Sequence, residues 1–308
     1  MIVALTGGTG GAKLIEGLAA AIDPADLTII CNTADDCIFH GLYVSPDIDT
    51  ITYTLAGLIE PTKGWGIKDD TFATLEQLRR LGDDGWFQLG DKDLATHITR
   101  TRLLNEGRKL SEISRVIGRK LGVHATLLPM SNDRVETRFV TAQGEISFQE
   151  YFVKYGWSPE VTKVRFAGVE QSTPAPGLLD AIAGAEAIIL CPSNPISSIG
   201  PILAVPGIRS ALTEASAPVV GVSPIIGRAA ISGPAHKLMT ACNHEASALG
   251  VAVCYKDFLD TLVIADEDRR LARQIETMDI EAAVTDIRMT SPAEKRRLAS
   301  EVLALAKK

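Results

Sequence analysis

The chain has 308 residues, of which 46% are hydrophobic and 22% charged, enough apolar content for a globular core. Its formal net charge of −7 argues against a nucleic-acid binder, whose affinity rests on a basic surface. The imbalance is local: residues 1–57 carry seven acids (Glu16, Asp23, Asp26, Asp35, Asp36, Asp47, Asp49) against the single base Lys13.

The first residues lack the basic stretch of a secretory leader, and no apolar run approaches the roughly 18 residues of a membrane span. Five cysteines (Cys31, Cys37, Cys191, Cys242, Cys254) form no CxxC pair, and the histidines never fall at HExxH or HxxxH spacing. That argues against a disulfide framework and a zinc site, and for a reduced, cytoplasmic protein with no membrane partner.

In chain order, residues 2–6 read as a buried strand, 7–11 as a glycine turn, and 12–22 as a helix with Leu14, Ile15, Leu18 and Ile22 on one face. Residues 27–31 form the next strand, completing a βαβ unit. From about 49 to 122 the pattern is helical without a convincing strand. Residues 91–106 and 111–121 are clearest, the latter with Ser111 as cap and Gly122 as stop. Strands are expected at 125–130 and 135–141, with a turn at 142–144 and a returning strand at 145–148. Helices near 178–185, 207–215 and 235–249 then alternate with strands at 187–191, 218–222 and 261–265, and a last helix starts near 292. The prediction is one α/β domain over 1–308, doubly wound and mainly parallel, with a helical insertion at 50–122.

Five segments carry candidate chemistry. GGTGGAKL at 7–14 lets backbone amides approach a phosphate at a helix start, with Lys13 adding charge. It is not a P-loop, since Ala12 precedes the lysine and Leu14 follows it, and Lys13 stands where a dinucleotide fingerprint has its third glycine. The plainer account is a tight turn. NTADD, with Asn32, Asp35 and Asp36, follows the second strand; one acid could hold a ribose, two could position Mg²⁺, or the segment is a cap. Asp47 and Asp49 follow a proline at a helix start, where capping is the bland reading, yet acids beside a diphosphate need a divalent cation. Ser193 and Asn194, with Ser197 and Ser198, offer hydrogen bonds at a strand end, and Cys191 reads as a small buried side chain. Asp93, His97 and Arg100 share a helix face, which a surface ion-pair ladder explains equally well.

Several blocks in one order, GGTGGAKL, NTADD, HGLYVSPDIDTITYTLAG, GWGIKDDTF, WFQLGDKDLATHITRT, LPMSNDRVET, CPSNPISSIGPILAVPGIR and SPIIG, resemble the 2-phospho-L-lactate transferase family of coenzyme F-420 biosynthesis over residues 1 to about 265. The resemblance implies a Rossmann-like fold, usually dimeric, and a Mg²⁺-dependent transfer. The group moved is the phosphate of a three-carbon acid, carried from its guanosine diphosphate conjugate to the ribityl hydroxyl of the deazaflavin Fo, with GMP leaving.

On that footing Gly7, Gly8, Thr9, Gly10 and Gly11 are expected to cradle the diphosphate, helped by Lys13 and Asn32, with Asp35 and Asp49 on Mg²⁺. Asp49 is alternatively the base that orients the hydroxyl. Ser131, Asn132, Arg134, Ser193 and Asn194 are expected to hold phosphate or guanine, and Gln88 to lie with Asp49 near the Fo hydroxyl. Two departures stand out: Asn132 replaces a second acid common in the family, and the 227–229 turn is poorer in glycine. The rival readings are a nicotinamide-dependent oxidoreductase and a non-catalytic sugar-nucleotide-binding regulator. Members of the regulator's family resemble DDGGSSG where this chain reads DDCIFHG.

Overall fold

The computed structural model describes residues 1–227, 229–230 and 234–307. Seven strands build the central sheet: β1 (Ile2–Thr6), β2 (Leu27–Cys31), β3 (Thr126–Pro129), β4 (Ala187–Leu190), β5 (Val219–Val222), β6 (Thr261–Ile264) and β7 (Glu281–Val284). Their spatial order is β7-β6-β5-β4-β1-β2-β3, and every pairing is parallel. This is the doubly wound order, extended by one strand, and it puts the topological switch point between β1 and β4.

The central strands read as unbroken apolar runs because helices cover both faces. Val3, Leu5, Ile30, Ile188 and Leu190 feed one core, while Ile2, Ala4, Ile29, Ile189 and Val220 feed the other. Helix α1 (Gly8–Ala21) lies on the second face against the C-terminal helix Pro292–Leu305. Their approach is close enough that a side chain at Gly17 would overlap the Lys295 carbonyl.

Between β2 and β3 stand α2 (Pro46–Leu55), α3 (Ala73–Arg80), α4 (Asp91–Asn105) and α5 (Leu110–Lys120). Helix α5 is not capped by Ser111. Its first turn is closed from outside, by Asn132 Oδ1 accepting from the Ser111 amide at 2.9 Å. The expected helix at 235–249 is two, Ala235–Ala241 and Ala248–Tyr255. Asn243 at φ 60° interrupts it, and Ser247 caps the second piece.

Residues 136–141 and 144–147 form strands as expected. They join Val161–Ala167 in a separate three-stranded antiparallel sheet. A short hairpin, Cys37–Phe39 with Leu42–Val44, also lay outside the sequence reading. Among the described residues no helix is long and apolar enough to cross a membrane.

Candidate active site

The strand-to-helix turn after β1 lies at the switch point and is built by close packing. A Cβ on Gly7 would stand 2.7 Å from Asp47 Oδ2 and 2.8 Å from Ser198 Cβ, and one on Gly11 would overlap Thr6 Oγ1. Gly8 turns the chain at φ 66°, a conformation that favours glycine. The Gly7 amide donates to Ser193 Oγ at 3.2 Å while the Ser193 hydroxyl donates back to the Gly7 carbonyl at 2.7 Å, joining the ends of β1 and β4. The Gly8 amide donates to Asp47 Oδ1 at 2.7 Å. Among the described residues the Thr9 and Gly10 amides make no hydrogen bond, so the start of α1 keeps two donors and its dipole for an anion.

Three side chains meet beside this turn. Asn32 Nδ2 donates to Asp35 Oδ2 at 3.0 Å and to Asp47 Oδ2 at 2.9 Å, while its own oxygen accepts from the Ala34 amide at 2.9 Å. Both carboxyls are buried, and Asp35 Oδ1 has no hydrogen-bond partner. Thr137 lies near enough to favour the carboxylate slightly, though not in hydrogen-bonding geometry. Burial, reinforced by the Asp47 and Asp36 charges, pushes Asp35 well above the usual carboxylate range. Burial likewise pushes Asp47 up to about 6, against the opposing pull of Asn32 and the Gly8 amide. Asp36 is raised by burial too, but its two oxygens accept from the Ser45 hydroxyl at 2.8 and 2.9 Å.

Asp35 and Asp47 thus form a buried carboxyl pair with no cationic partner to favour its ionised form, and an orphaned oxygen marks the gap. A divalent cation fits this donor set. Among the described residues no cluster of three His, Cys, Asp or Glu side chains is arranged to hold a metal alone. A cation here would therefore complete its shell with water and substrate oxygens, as Mg²⁺ commonly does.

Asp49 lies two residues beyond Asp47 on the first turn of α2, where carboxylates favour the helix dipole. Two helical positions are about 200° apart, so the second carboxylate faces α4 instead of the glycine turn. There Arg100, 1% exposed, grips it with both terminal nitrogens, Nη1 to Oδ2 at 3.0 Å and Nη2 to Oδ1. Burial works against the guanidinium, but Asp49 more than restores its charge.

His97 Nδ1 is 3.3 Å from Arg100 Nη1 and 3.7 Å from Asp49 Oδ2, and its Nε2 is 3.3 Å from Asp93 Oδ1. Arginine only donates, so Nδ1 accepts and the ring proton sits on Nε2, facing Asp93. Tyr53 donates to the same Asp93 oxygen at 2.6 Å. Burial would raise Asp93, yet His97 and Tyr53 hold it below the ordinary range. Asp93, His97 and Arg100 are therefore a buried network and not a surface ladder.

This network forms one wall of a cavity of about 380 Å³. Tyr53, Trp65, Trp86 and Phe87 supply aromatic surface, and Asp49 and Gln88 supply polar groups. Gln149 reaches in from the helical turn that follows the 144–147 strand, while its side-chain amide donates to the Asp35 carbonyl at 2.8 Å. The size and lining suit a planar aromatic ligand with a few fixed polar contacts.

The remaining candidates, Lys13 apart, are engaged within the protein. The Ser131 hydroxyl donates to the Thr173 carbonyl at 2.6 Å, Asn132 closes α5, and Arg134 pairs with Glu136. Asn194 Oδ1 accepts from the amides of Ile196 at 2.9 Å and Ser197 at 3.3 Å, capping its own turn. Lys13 is half-buried on α1, and its ammonium makes no hydrogen bond or ion pair among the described residues. Arg228, within the glycine-poor turn, lies outside the described residues. Sequence reasoning missed the cavity roles of Tyr53, Trp65 and Gln149; only the tryptophan flanked by glycines at 64–66 hinted at one.

A doubly wound sheet, a glycine turn with two free amides at its switch point and an aromatic cavity alongside define an α/β protein with two adjacent candidate sites. The family model described as 2-phospho-L-lactate transferase CofD matches residues 2–302, and the chain belongs to that family. A Streptomyces griseus phosphoenolpyruvate transferase is 44% identical, with 99% of this chain and 98% of that one covered. A Methanosarcina mazei 2-phospho-L-lactate transferase is 40% identical, with 98% and 99% covered. Among solved structures, a Bacillus halodurans protein of the UPF0052 family matches with a TM-score of 0.64 at 17% identity, covering 98% of each chain, a likeness of fold. The protein is a CofD-type transferase of coenzyme F-420 biosynthesis.

Proposed function

We propose that the protein transfers a phospho-three-carbon-acid group from its guanosine diphosphate conjugate to the ribityl hydroxyl of Fo, releasing GMP. The observation that carries this reading is the placement of Asp47 and Asp49 on one helical turn, the first at the glycine turn and the second in the aromatic cavity. Donor and acceptor sites therefore share a wall.

In this reading the diphosphate lies on the free amides of Thr9 and Gly10, and the deazaflavin ring lies among Trp65, Trp86 and Phe87. Asp49, fixed by Arg100, and Gln88 orient the acceptor hydroxyl toward phosphorus. Asp35 and Asp47 hold Mg²⁺, and Asp49, already neutralised, is left to the acceptor. When bound, the ion offsets charge developing on the transferred phosphoryl group and on GMP. A homodimer, implied by the family resemblance alone, and a cytoplasmic location, expected from the cysteine pattern, complete the reading.

The relatives carry names for two different three-carbon acids, so the test offers Fo with the phospholactyl, phosphoenolpyruvyl and phosphoglyceryl guanosine diphosphates in turn. Mass spectrometry is expected to find one phosphodiester adduct and equimolar GMP, dependent on Mg²⁺. No adduct from any donor would overturn the proposal.

A further inference from the structure

Between α2 and α3 the chain makes an excursion over residues 56–72 whose base is tied shut. The Lys68 amide donates to the Leu58 carbonyl at 2.8 Å, Lys68 Nζ to the Gly57 carbonyl at 2.8 Å, and the Glu60 amide to the Gly66 carbonyl at 3.1 Å. Gly64 and Gly66 turn the tip at φ 72° and 74°. That tip touches the phosphate turn: a Cβ on Gly64 would sit 3.5 Å from Thr9 Cβ.

The next residue, Trp65, lines the aromatic cavity and also a smaller one of about 150 Å³ beyond it. The Lys63 ammonium stands 5.0 Å from the Trp65 ring centroid and 5.0 Å from that of Phe72, which orients an indole that is still 39% exposed. Opposite it, the start of α2 meets the same two places, with Asp47 at the glycine turn and Pro46 and Asp49 in the aromatic cavity.

We infer that Trp65 is the residue that selects the acceptor hydroxyl over water. The inference rests on the proposed transfer. In that reaction the hydroxyl oxygen bonds to the phosphorus bearing the three-carbon acid, the bond from that phosphorus to the GMP oxygen breaks with its electron pair going to GMP, and the hydroxyl proton leaves to solvent. Water attacking the same phosphorus gives GMP and the free phospho-acid. The two outcomes differ only in the attacking oxygen, so an apolar cover across the junction of the two sites decides between them. Gly64 fixes the cover against the donor turn, and the indole closes the acceptor side.

The experiment measures GMP and adduct in the same reaction for the wild type, Trp65→Ala, Trp65→Phe and Lys63→Met, with GMP release also followed without Fo. Wild type is expected to form them in equal amounts. Trp65→Ala should release GMP in several-fold excess over adduct and show acceptor-independent GMP release. Trp65→Phe should restore most of the balance, and Lys63→Met should fall between. Loss of rate in Trp65→Ala with GMP and adduct still equimolar would overturn the inference, since a residue that merely stacks on the acceptor leaves the partition unchanged. If Trp65→Ala does not fold, an equimolar ratio in Lys63→Met overturns it in the same way. A wild type that forms no adduct from any donor fails the transfer reading itself, a result distinct from either.

Discussion

Asp47 and Asp49 sit on one turn of one helix, both buried and both acidic, and they live in opposite electrostatic regions. On the sheet side Asp47 shares Asn32 with Asp35 and has only neutral donors for company. On the helical side Asp49 is matched by Arg100, with His97, Asp93 and Tyr53 continuing a chain of close polar contacts. The first region is short of a cation and the second is balanced without one. A buried carboxylate's use is set by the charge of what it faces, and here a 200° rotation about a helix axis decides it.

The largest expected difference is in activity. Asp47→Asn keeps an acceptor for the Gly8 amide but removes the charge; turnover should fall about a hundredfold or more, the scale of several kcal/mol of lost charge stabilisation. Metal-free Asp47→Asn should melt no lower than wild type, because it removes the burial cost of the Asp47 charge. A turnover assay and a thermal melt on the same preparation check both halves.

Stability should respond in the reverse sense on the other side. Arg100→Met leaves Asp49 buried without its counter-charge and is expected to cost about 3–5 kcal/mol by denaturant titration. Adding Asp49→Leu to that variant should recover a large part of the loss, since no lone charge then remains. Smaller still, Tyr53→Phe removes one donor from Asp93 and should cost about 1–3 kcal/mol, with little change in Mg²⁺ dependence.

The parts of this contrast that the sequence disclosed are the local ones. Strands β1, β2, β4, β5 and β6 announce themselves because both their faces are buried, whereas β7 is a partly exposed edge with no such run. The hairpin at 37–44 turns on His40 and Gly41, at φ 51° and 76°, a two-residue signal too short to read among loop residues. The glycine turn and the acids after β2 and before α2 are contiguous motifs and could be found. The Asp49–Arg100 pair spans 51 positions, and no periodicity tells which face of α4 will meet α2. For the same reason, spacing alone could not rank Asp47 against Asp49 as a metal ligand.

The most direct test of the two-region account is the Mg²⁺-induced rise in melting temperature, measured with GDP present as the nucleotide probe, in wild type, Asp47→Asn and Asp49→Asn. The account predicts a rise in wild type and in Asp49→Asn, and none in Asp47→Asn. A rise retained by Asp47→Asn and lost by Asp49→Asn would contradict it, moving the cation into the region that Arg100 already balances.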